Sequence, residues 1–145
     1  MTKNKGFTLV ELLVVISIIG IIMALSIFGL QGARESSRDG RRKADLEQIR
    51  SAIEIYKSDC NKYPLAVQDN LKGDGSVASC SVGNVYISAL PDDPSAPEGI
   101  YRYYSADGIT YEICAYLEQG TGSPVSCGSQ TSCGLGRCNY KVTNP

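Results

Sequence analysis

The chain has 145 residues, of which 43% are hydrophobic and 20% charged, with a formal net charge of −1 and no histidine. A near-neutral charge gives no bulk electrostatic reason to bind nucleic acid, and the lack of histidine excludes a serine or cysteine catalytic triad of the usual kind. Outside one membrane-length stretch about one hundred residues remain, enough for one modest domain.

The segment near the N-terminus is the most informative. Residues 12–30 carry no charged side chain, which predicts a helix long enough to span a bilayer. Glu11 stands at its start, where a charge at hydrocarbon depth costs roughly 2.5 to 3.5 kcal/mol on insertion scales. Glu11 is either an interfacial carboxylate favoured by the helix dipole or a functional group that requires a partner.

The junction before this run reads Lys5-Gly6-Phe7-Thr8-Leu9-Val10-Glu11-Leu12. No small-residue cleavage site follows the apolar stretch, as it would in an ordinary secretory signal. The junction closely resembles the processing signal of type IV prepilins and pseudopilins, and the chain is identified as a member of that superfamily. The resemblance implies that a prepilin peptidase cuts between Gly6 and Phe7 and methylates the new N-terminus at Phe7.

The same resemblance implies that Glu11 acts in filament assembly. In a staggered bundle of helices, the Glu11 carboxylate of one subunit would meet the Phe7 amine of its neighbour. A paired, hydrogen-bonded charge is tolerable in an apolar setting, whereas an unpaired one is expensive. We therefore expect self-association into a helical filament, assembled from the inner membrane by pilus or type II secretion machinery.

Beyond the apolar run the helical pattern continues with one apolar face. Its residues recur at intervals of three and four, namely Leu46, Ile49, Ile53 and Tyr56. Polar residues and two glycines in 31–40 predict a weaker or bent stretch, and Tyr63-Pro64 ends the helix. Four parts are predicted: a leader at 1–6, a transmembrane and filament-core helix at 7–30, an amphipathic helix at 31–62 and a head at 63–145.

The head is predicted from alternation and turn signals. After a turn-rich region that extends to about residue 88, residues 100–105 and 109–117 are predicted strands, separated by the hairpin turn Ala106-Asp107-Gly108. Residues 139–143 are a candidate third strand. Alternate residues of the second strand form the face predicted to cover the helix: Ile109, Tyr111, Ile113, Ala115 and Leu117. The predicted fold class is α+β, a long N-terminal helical spine packed against a small antiparallel sheet.

The head carries a second resemblance. The order Tyr63-Pro64, Tyr86-Ile87-Ser88-Ala89-Leu90-Pro91-Asp92-Asp93-Pro94 and Tyr101-Arg102-Tyr103-Tyr104 resembles the major pseudopilin of type II secretion systems. The family often has a proline where this chain has Phe28. It also carries a calcium site built from acidic side chains and carbonyls, but no Asp or Glu follows Glu118 here. Since calcium takes six to eight oxygens, neither calcium nor another cofactor is predicted.

All six cysteines follow the apolar run: Cys60, Cys80, Cys114, Cys127, Cys133 and Cys138. An even number in a small exported domain predicts three disulfides, with fifteen pairings left open. Zinc is the competing interpretation, but the chain has no Cys-x-x-Cys pair and no histidine. Cross-links would make a compact loop of a C-terminal region rich in glycine and serine.

The charged residues and the cysteines together predict how the chain is oriented across the membrane. Lys3 and Lys5 favour a cytoplasmic N-terminus, although more cations follow the apolar run: Arg34, Arg38, Arg41, Arg42 and Lys43. Disulfides require an oxidising compartment, which favours a head outside the cytoplasm. We interpret the second basic group as a solvated helix flank with Glu35, Asp39 and Asp45, while its charge also permits contact with lipid headgroups or nucleic acid.

The preferred functional prediction is a structural subunit of a type IV pilus-like filament and not an enzyme. It would be a single-pass inner-membrane protein before assembly and part of an extracellular or periplasmic filament afterwards. The alternative is a major-pseudopilin-like subunit of a type II secretion system. A third hypothesis, a membrane-anchored secreted enzyme or binding module, requires Phe7 to stay unprocessed.

Overall fold

The computed structural model describes residues 6–145, without the side chains of residues 27 and 28. It contains a long helix and two small antiparallel sheets, in agreement with the predicted α+β class. Helix α1 is followed by five strands: α1 Leu9–Cys60, β1 Leu71–Lys72, β2 Val85–Ile87, β3 Arg102–Tyr104, β4 Glu112–Ala115 and β5 Tyr140–Thr143. The chain divides into two compact units, one ending at Ser36 and the other formed by Ser37–Pro145.

The first unit carries the N-terminal part of α1. Its described large apolar side chains, such as Leu12, Ile22 and Leu25, are exposed. This helix is long and apolar enough to cross a membrane by length and composition. An apolar surface of this extent normally lies in lipid or against other helices. The predicted leader lies outside the described residues except for Gly6.

In the second unit, α1 presents its apolar face to the core and ends at Cys60. Asn61 takes a left-handed conformation with φ 59°, and its backbone N–H donates to the Lys57 carbonyl at 2.8 Å. This is a typical helix C-terminus, and it lies two residues before Tyr63-Pro64. Residues 31–40, where a weaker or bent stretch was predicted, are helical throughout.

The three-stranded sheet has the order β3-β4-β5 and is antiparallel. Arg102 pairs with Cys114, and Ile113 pairs with Val142. All three strands fall inside the predicted segments. Ile109 was predicted to face the helix but is 68% exposed. Its backbone N–H instead donates to the Asp107 carboxylate at 2.9 Å, because the turn still continues at this residue.

The short sheet formed by β1 and β2 was not predicted. Leu71 pairs with Ile87 and Lys72 with Val85, with a register shift between Leu71 and Lys72. Strands of two and three residues are too short to show alternation. Leu71 and Ile87 nevertheless contribute to the main core.

Strand β4 is buried on both faces of its sheet. Ile113 and Ala115 belong to the core that contains Leu46 and Ile53 of α1. Cys114 points to the opposite face, as alternation in a strand requires. There it belongs to a second cluster, which we call the tail core: Cys114, Cys127, Cys133 and Cys138, with Tyr116 and Val125 packed against it. The sheet is therefore covered by the helix on one face and by the C-terminal tail on the other.

The role of the helix face can be tested with two isoleucines that lie two residues apart. Ile53 is fully buried and Ile55 is 55% exposed. We expect Ile53→Ala to lower the free energy of unfolding by about 2 to 5 kcal/mol, since it leaves a cavity in the core. The control Ile55→Ala should change it by less than about 0.5 kcal/mol. Urea unfolding of the detergent-solubilised chain measures both values, and equal losses would contradict the assigned face.

Candidate functional site

The residues predicted to act in processing and assembly lie at the start of α1. Gly6 and Phe7 are exposed and precede the helix. The Glu11 carboxylate accepts hydrogen bonds from the Thr8 backbone N–H at 2.9 Å and from its hydroxyl at 2.7 Å. In return, the Thr8 hydroxyl oxygen accepts from the Glu11 N–H at 3.3 Å. This reciprocal arrangement is a capping box, which satisfies donors at a helix N-terminus.

Glu11 therefore has a partner within its own chain. The sequence analysis considered only a partner in a neighbouring subunit, although Thr8-x-x-Glu11 is itself the sequence signature of a capping box. An ionised carboxylate has about four acceptor sites. The bonds to Thr8 thus leave capacity on Glu11 for a further donor.

A buried ion network joins α1 to two loops of the head. Arg42 has 0% of its surface exposed. Its guanidinium donates to both Asp93 carboxylate oxygens at 2.8 and 3.0 Å. It also donates to Asp39 at 2.8 Å, to Glu118 at 2.8 Å and to the Ser95 hydroxyl at 3.1 Å. The planar guanidinium suits such a site because it can bind one carboxylate through two donors while other donors reach further acceptors.

Asp39 and Glu118 extend this network. Arg38 donates through Nε to Glu118 at 2.7 Å, and its Nη2 contacts the second carboxylate oxygen. The Asp39 carboxylate accepts hydrogen bonds from the backbone N–H groups of Glu118 and Gln119, at 2.9 and 2.8 Å. The hydrogen bonds from Arg38, together with those from Arg42, outweigh burial and lower the pKa of Glu118 to about 2. Two cations thus hold the segment after β4 on the helix.

The interpretation of the basic group as a solvated flank is correct for Arg41 and wrong for Arg42. Its expected acidic partners Asp39 and Asp45 are also buried. Arg41 is mostly exposed and lies 3.8 Å from Asp45. Arg42 is four residues before Leu46, so it continues the buried helix face by one turn. Asp93 lies in a loop of the head and is also buried because it binds this guanidinium. The spacing from Arg42 to Leu46 was the available signal in the sequence.

The cysteines divide into bonded and free residues. Two disulfides are present, Cys60–Cys80 at the end of α1 and Cys133–Cys138 in the tail. Cys114 and Cys127 are free and buried. The sequence predicted three disulfides, so the structure contains one fewer than expected among the described residues.

One group of side chains within residues 6–145 is compact enough to hold a metal ion: Cys60, Asp74 and Cys80, with ligand atoms within 4.8 Å of one another. The two cysteines are bonded to each other, and Asp74 forms an ion pair with Lys62 at 2.8 Å. Disulfide sulfurs are not the thiolates that zinc binds. The three residues therefore form a covalent and ionic cross-link of the loop before β2.

Comparison with known proteins gives two family matches. Residues 1–27 match the prokaryotic N-terminal methylation motif. Residues 30–126 match the family described as type II secretion system protein G. The second match includes the C-terminal part of α1, strands β1 to β4 and the residues of the Arg42 network. No solved structure is significantly similar to the chain.

Several known proteins are similar to this chain. The type II secretion system core protein G of Aeromonas hydrophila is 36% identical over 98 residues, which cover 63% of this chain and 68% of the relative. The protein of the same name from Vibrio cholerae is 34% identical over 109 residues, covering 72% and 73%. That of Klebsiella michiganensis is 32% identical over 106 residues, covering 73% and 62%. The matched part of the chain thus spans between 62% and 73% of these three relatives.

The contribution of the buried cation can be measured by replacing Arg42. We expect Arg42→Met to lower the free energy of unfolding by about 3 to 5 kcal/mol, because three carboxylates lose their shared cation in a buried setting. The adjacent Arg41→Met is the matched control. The loss of stability in Arg41→Met should be less than about 1 kcal/mol, since the Arg41 side chain is mostly exposed and lies 3.8 Å from its partner Asp45. Denaturant unfolding checks both, and a similarly small loss for Arg42→Met would contradict a stabilising network.

The network also predicts a dependence on pH. Folding lowers the pKa of Glu118 from 4.5 to about 2. Its ionised form therefore stabilises the head above pH 4.5, and this stabilisation is lost as the pH falls toward 2. We expect the free energy of unfolding to fall less steeply over this window in Glu118→Gln than in the unmodified chain. Glu47→Gln, at an exposed site on α1, should retain the original slope.

Proposed function

The chain belongs to the type II secretion system protein G family within the type IV pilin superfamily, and we propose that it is a major-pseudopilin-like subunit of a type II secretion system. The observation that supports this most strongly is the family match over residues 30–126, since this segment includes most of the head. The N-terminal methylation motif supports filament subunits more generally. The comparisons therefore favour the pseudopilin alternative over the type IV pilus that was the first prediction.

Processing is proposed to take place at the Gly6–Phe7 bond. Both residues are exposed and lie before the first helical turn, where a membrane peptidase can reach an extended peptide. Hydrolysis there would leave Thr8 and Glu11 on the mature chain. The capping box would therefore survive the cut, and the new Phe7 amine would lie next to it. Prepilin peptidase is the proposed partner in this step.

Assembly is proposed to use Glu11 and the exposed apolar side chains that the structure describes between Phe7 and Leu30. Packing these helices together would remove that surface from lipid, while Glu11 accepts a hydrogen bond from the Phe7 amine of a neighbouring subunit. Glu11 would retain its bonds to Thr8, because its carboxylate has acceptor sites for both partners. Such a pair would favour a particular axial stagger between subunits.

The proposed division of the chain follows from these roles. Residues 1–6 form the leader, 7–30 the membrane and filament-core helix, 31–62 the amphipathic helix and 63–145 the head. Before assembly, the subunit would reside in the inner membrane with its head outside the cytoplasm. It would then join a periplasmic filament. Its role is structural and not enzymatic, as its family membership supports. Before assembly, the helix of residues 7–30 is proposed to lie in the lipid bilayer.

The decisive experiment is to delete the gene in the native host and follow secreted proteins. A pseudopilin should be required for exoproteins to leave the periplasm, so we expect them to accumulate there and to be released again when the gene is restored. Filaments sheared from the surface of wild-type cells, with secretion unaffected in the deletion strain, would instead favour the pilus. The sequence read from the N-terminus of the mature chain should begin at N-methylated Phe7. An intact leader would favour the third hypothesis, a membrane-anchored secreted enzyme or binding module.

Glu11 provides the sharpest variant for the assembly step. We expect Glu11→Ala to be cut at Gly6 like the unmodified chain but to give less than about a tenth of the filament, because the neighbouring Phe7 amine loses its carboxylate. Thr8→Ala is the matched control for the helix cap, since it removes the side-chain bonds and leaves the carboxylate. Cross-linking of subunits in membranes measures assembly. A loss in Thr8→Ala equal to that in Glu11→Ala would assign the effect to the cap.

A further inference from the structure

Two of the four cysteines in the tail core are not bonded, and they lie against each other. Cys114 and Cys127 are both buried and belong to one cluster. The Cys114 sulfur lies 3.9 Å from the carbonyl oxygen of Ser126, the residue next to Cys127. Two cysteines can be bridged only where their side chains approach each other, and the shared cluster provides this approach. Neither residue is needed for the ion network or for the N-terminal processing site.

The backbone on both sides holds this pair in place. Strand β4 sets Cys114 opposite Arg102 in the register with β3. The Cys127 sulfur lies 3.4 Å from the Arg102 carbonyl and 3.5 Å from the Glu112 carbonyl. Cys127 is fixed there by two backbone hydrogen bonds with Gln130, at 2.8 and 3.0 Å. Both sulfurs are thus positioned by strands and a tight turn.

We propose that Cys114 and Cys127 form a third disulfide in the exported chain, linking the tail to β4. The other four cysteines are already bonded in pairs, so each of these two residues has one partner left. The inference requires an oxidising compartment for the head but does not require filament assembly. The alternative is that two buried thiols pack as small apolar side chains.

The reaction needs an oxidant, and the proposed one is the active-site disulfide of a dithiol–disulfide oxidase. The Cys114 thiolate attacks that disulfide, forms a mixed disulfide and releases one oxidase thiolate. The Cys127 thiolate then attacks the Cys114 sulfur and displaces the second oxidase thiolate. The chain loses two electrons and two protons, and the oxidase is left as a dithiol. Because both sulfurs are buried in the folded head, exchange takes place before the tail closes over β4.

The thiolate is the nucleophile in exchange. The same balance of atoms and electrons holds if the Cys127 thiolate attacks the oxidase first and the Cys114 thiolate then displaces it. The bond would close a loop of residues 115–126, which has no helix or strand after Ala115, and would restrict this loop in the unfolded state.

The first test counts free thiols in the full chain. The protein is extracted in detergent from the membranes of an export-competent host. It is then denatured without reductant in the presence of N-ethylmaleimide, which labels free thiols, and its intact mass is measured by mass spectrometry. We expect no maleimide adduct. Adducts at Cys114 and Cys127 would overturn the proposal. The N-terminus is read from the same sample, so a cross-linked chain with an uncut leader would contradict the proposed function and leave this inference intact.

The second test identifies the pairing. Trypsin with a glutamate-specific protease yields peptide 113–118, which carries Cys114, and peptide 119–137, which carries Cys127 and Cys133. In the double variant Cys133→Ser/Cys138→Ser, the two peptides should remain joined until reductant is added. Separate peptides that each carry a maleimide would overturn the assignment.

A single substitution keeps the test valid if the double variant does not fold. Cys114→Ser should expose one free thiol, located at Cys127, and should lower Tm by about 5 to 10 °C. Cys133→Ser is the matched control, with its free thiol expected at Cys138. After reduction, Cys114→Ser and the unmodified chain should melt at nearly the same temperature. A free thiol at Cys133 or Cys138 in Cys114→Ser would show a different partner and overturn the proposal.

Discussion

The burial of Arg42 is the constraint that the rest of the head satisfies. A guanidinium without exposed surface is stable only if carboxylates surround it, and here Asp39, Asp93 and Glu118 supply them from the helix and from two loops. Those loops have no regular structure of their own, and the bonds to Arg42 are among the contacts that hold them on the helix. Among these carboxylates, Glu118 links the network to pH, since its pKa is lowered by Arg38 and Arg42 and its protonation removes a charge that both cations bind.

The sheet depends on two different kinds of core. On the helix side, β4 is held by apolar side chains that contact Leu46 and Ile53, and burial of apolar surface is sufficient there. On the other side, the tail is rich in glycine and serine and can bury little apolar area. Four cysteines fill this core instead of large apolar side chains. Cys133 and Cys138 are bonded to each other, and Cys114 and Cys127 belong to the same cluster. Covalent links of this kind suit a protein that works outside the reducing cytoplasm.

The N-terminal unit differs from the head in where its apolar side chains lie. Its described apolar side chains face outward, as is typical of a helix that lies in lipid or against other helices. Glu11 interrupts this surface, and its cost is reduced by the capping box with Thr8. The carboxylate is therefore already oriented at the helix start before any neighbour arrives. Family membership and this geometry together support a subunit that is stored in a membrane and then packed into a filament.

Several features could be predicted from local patterns alone: the N-terminal methylation motif, the apolar run, the periodic face of α1 and the segments that contain β3, β4 and β5. Each is encoded in a short pattern whose period or motif is visible without contacts. The burial of Arg42 and Asp93, the exposure of Ile109 and the grouping of the cysteines became visible only in the folded structure. Arg42 and Asp93 are 51 positions apart, and no local pattern records which distant charges or sulfurs will meet once the chain has folded.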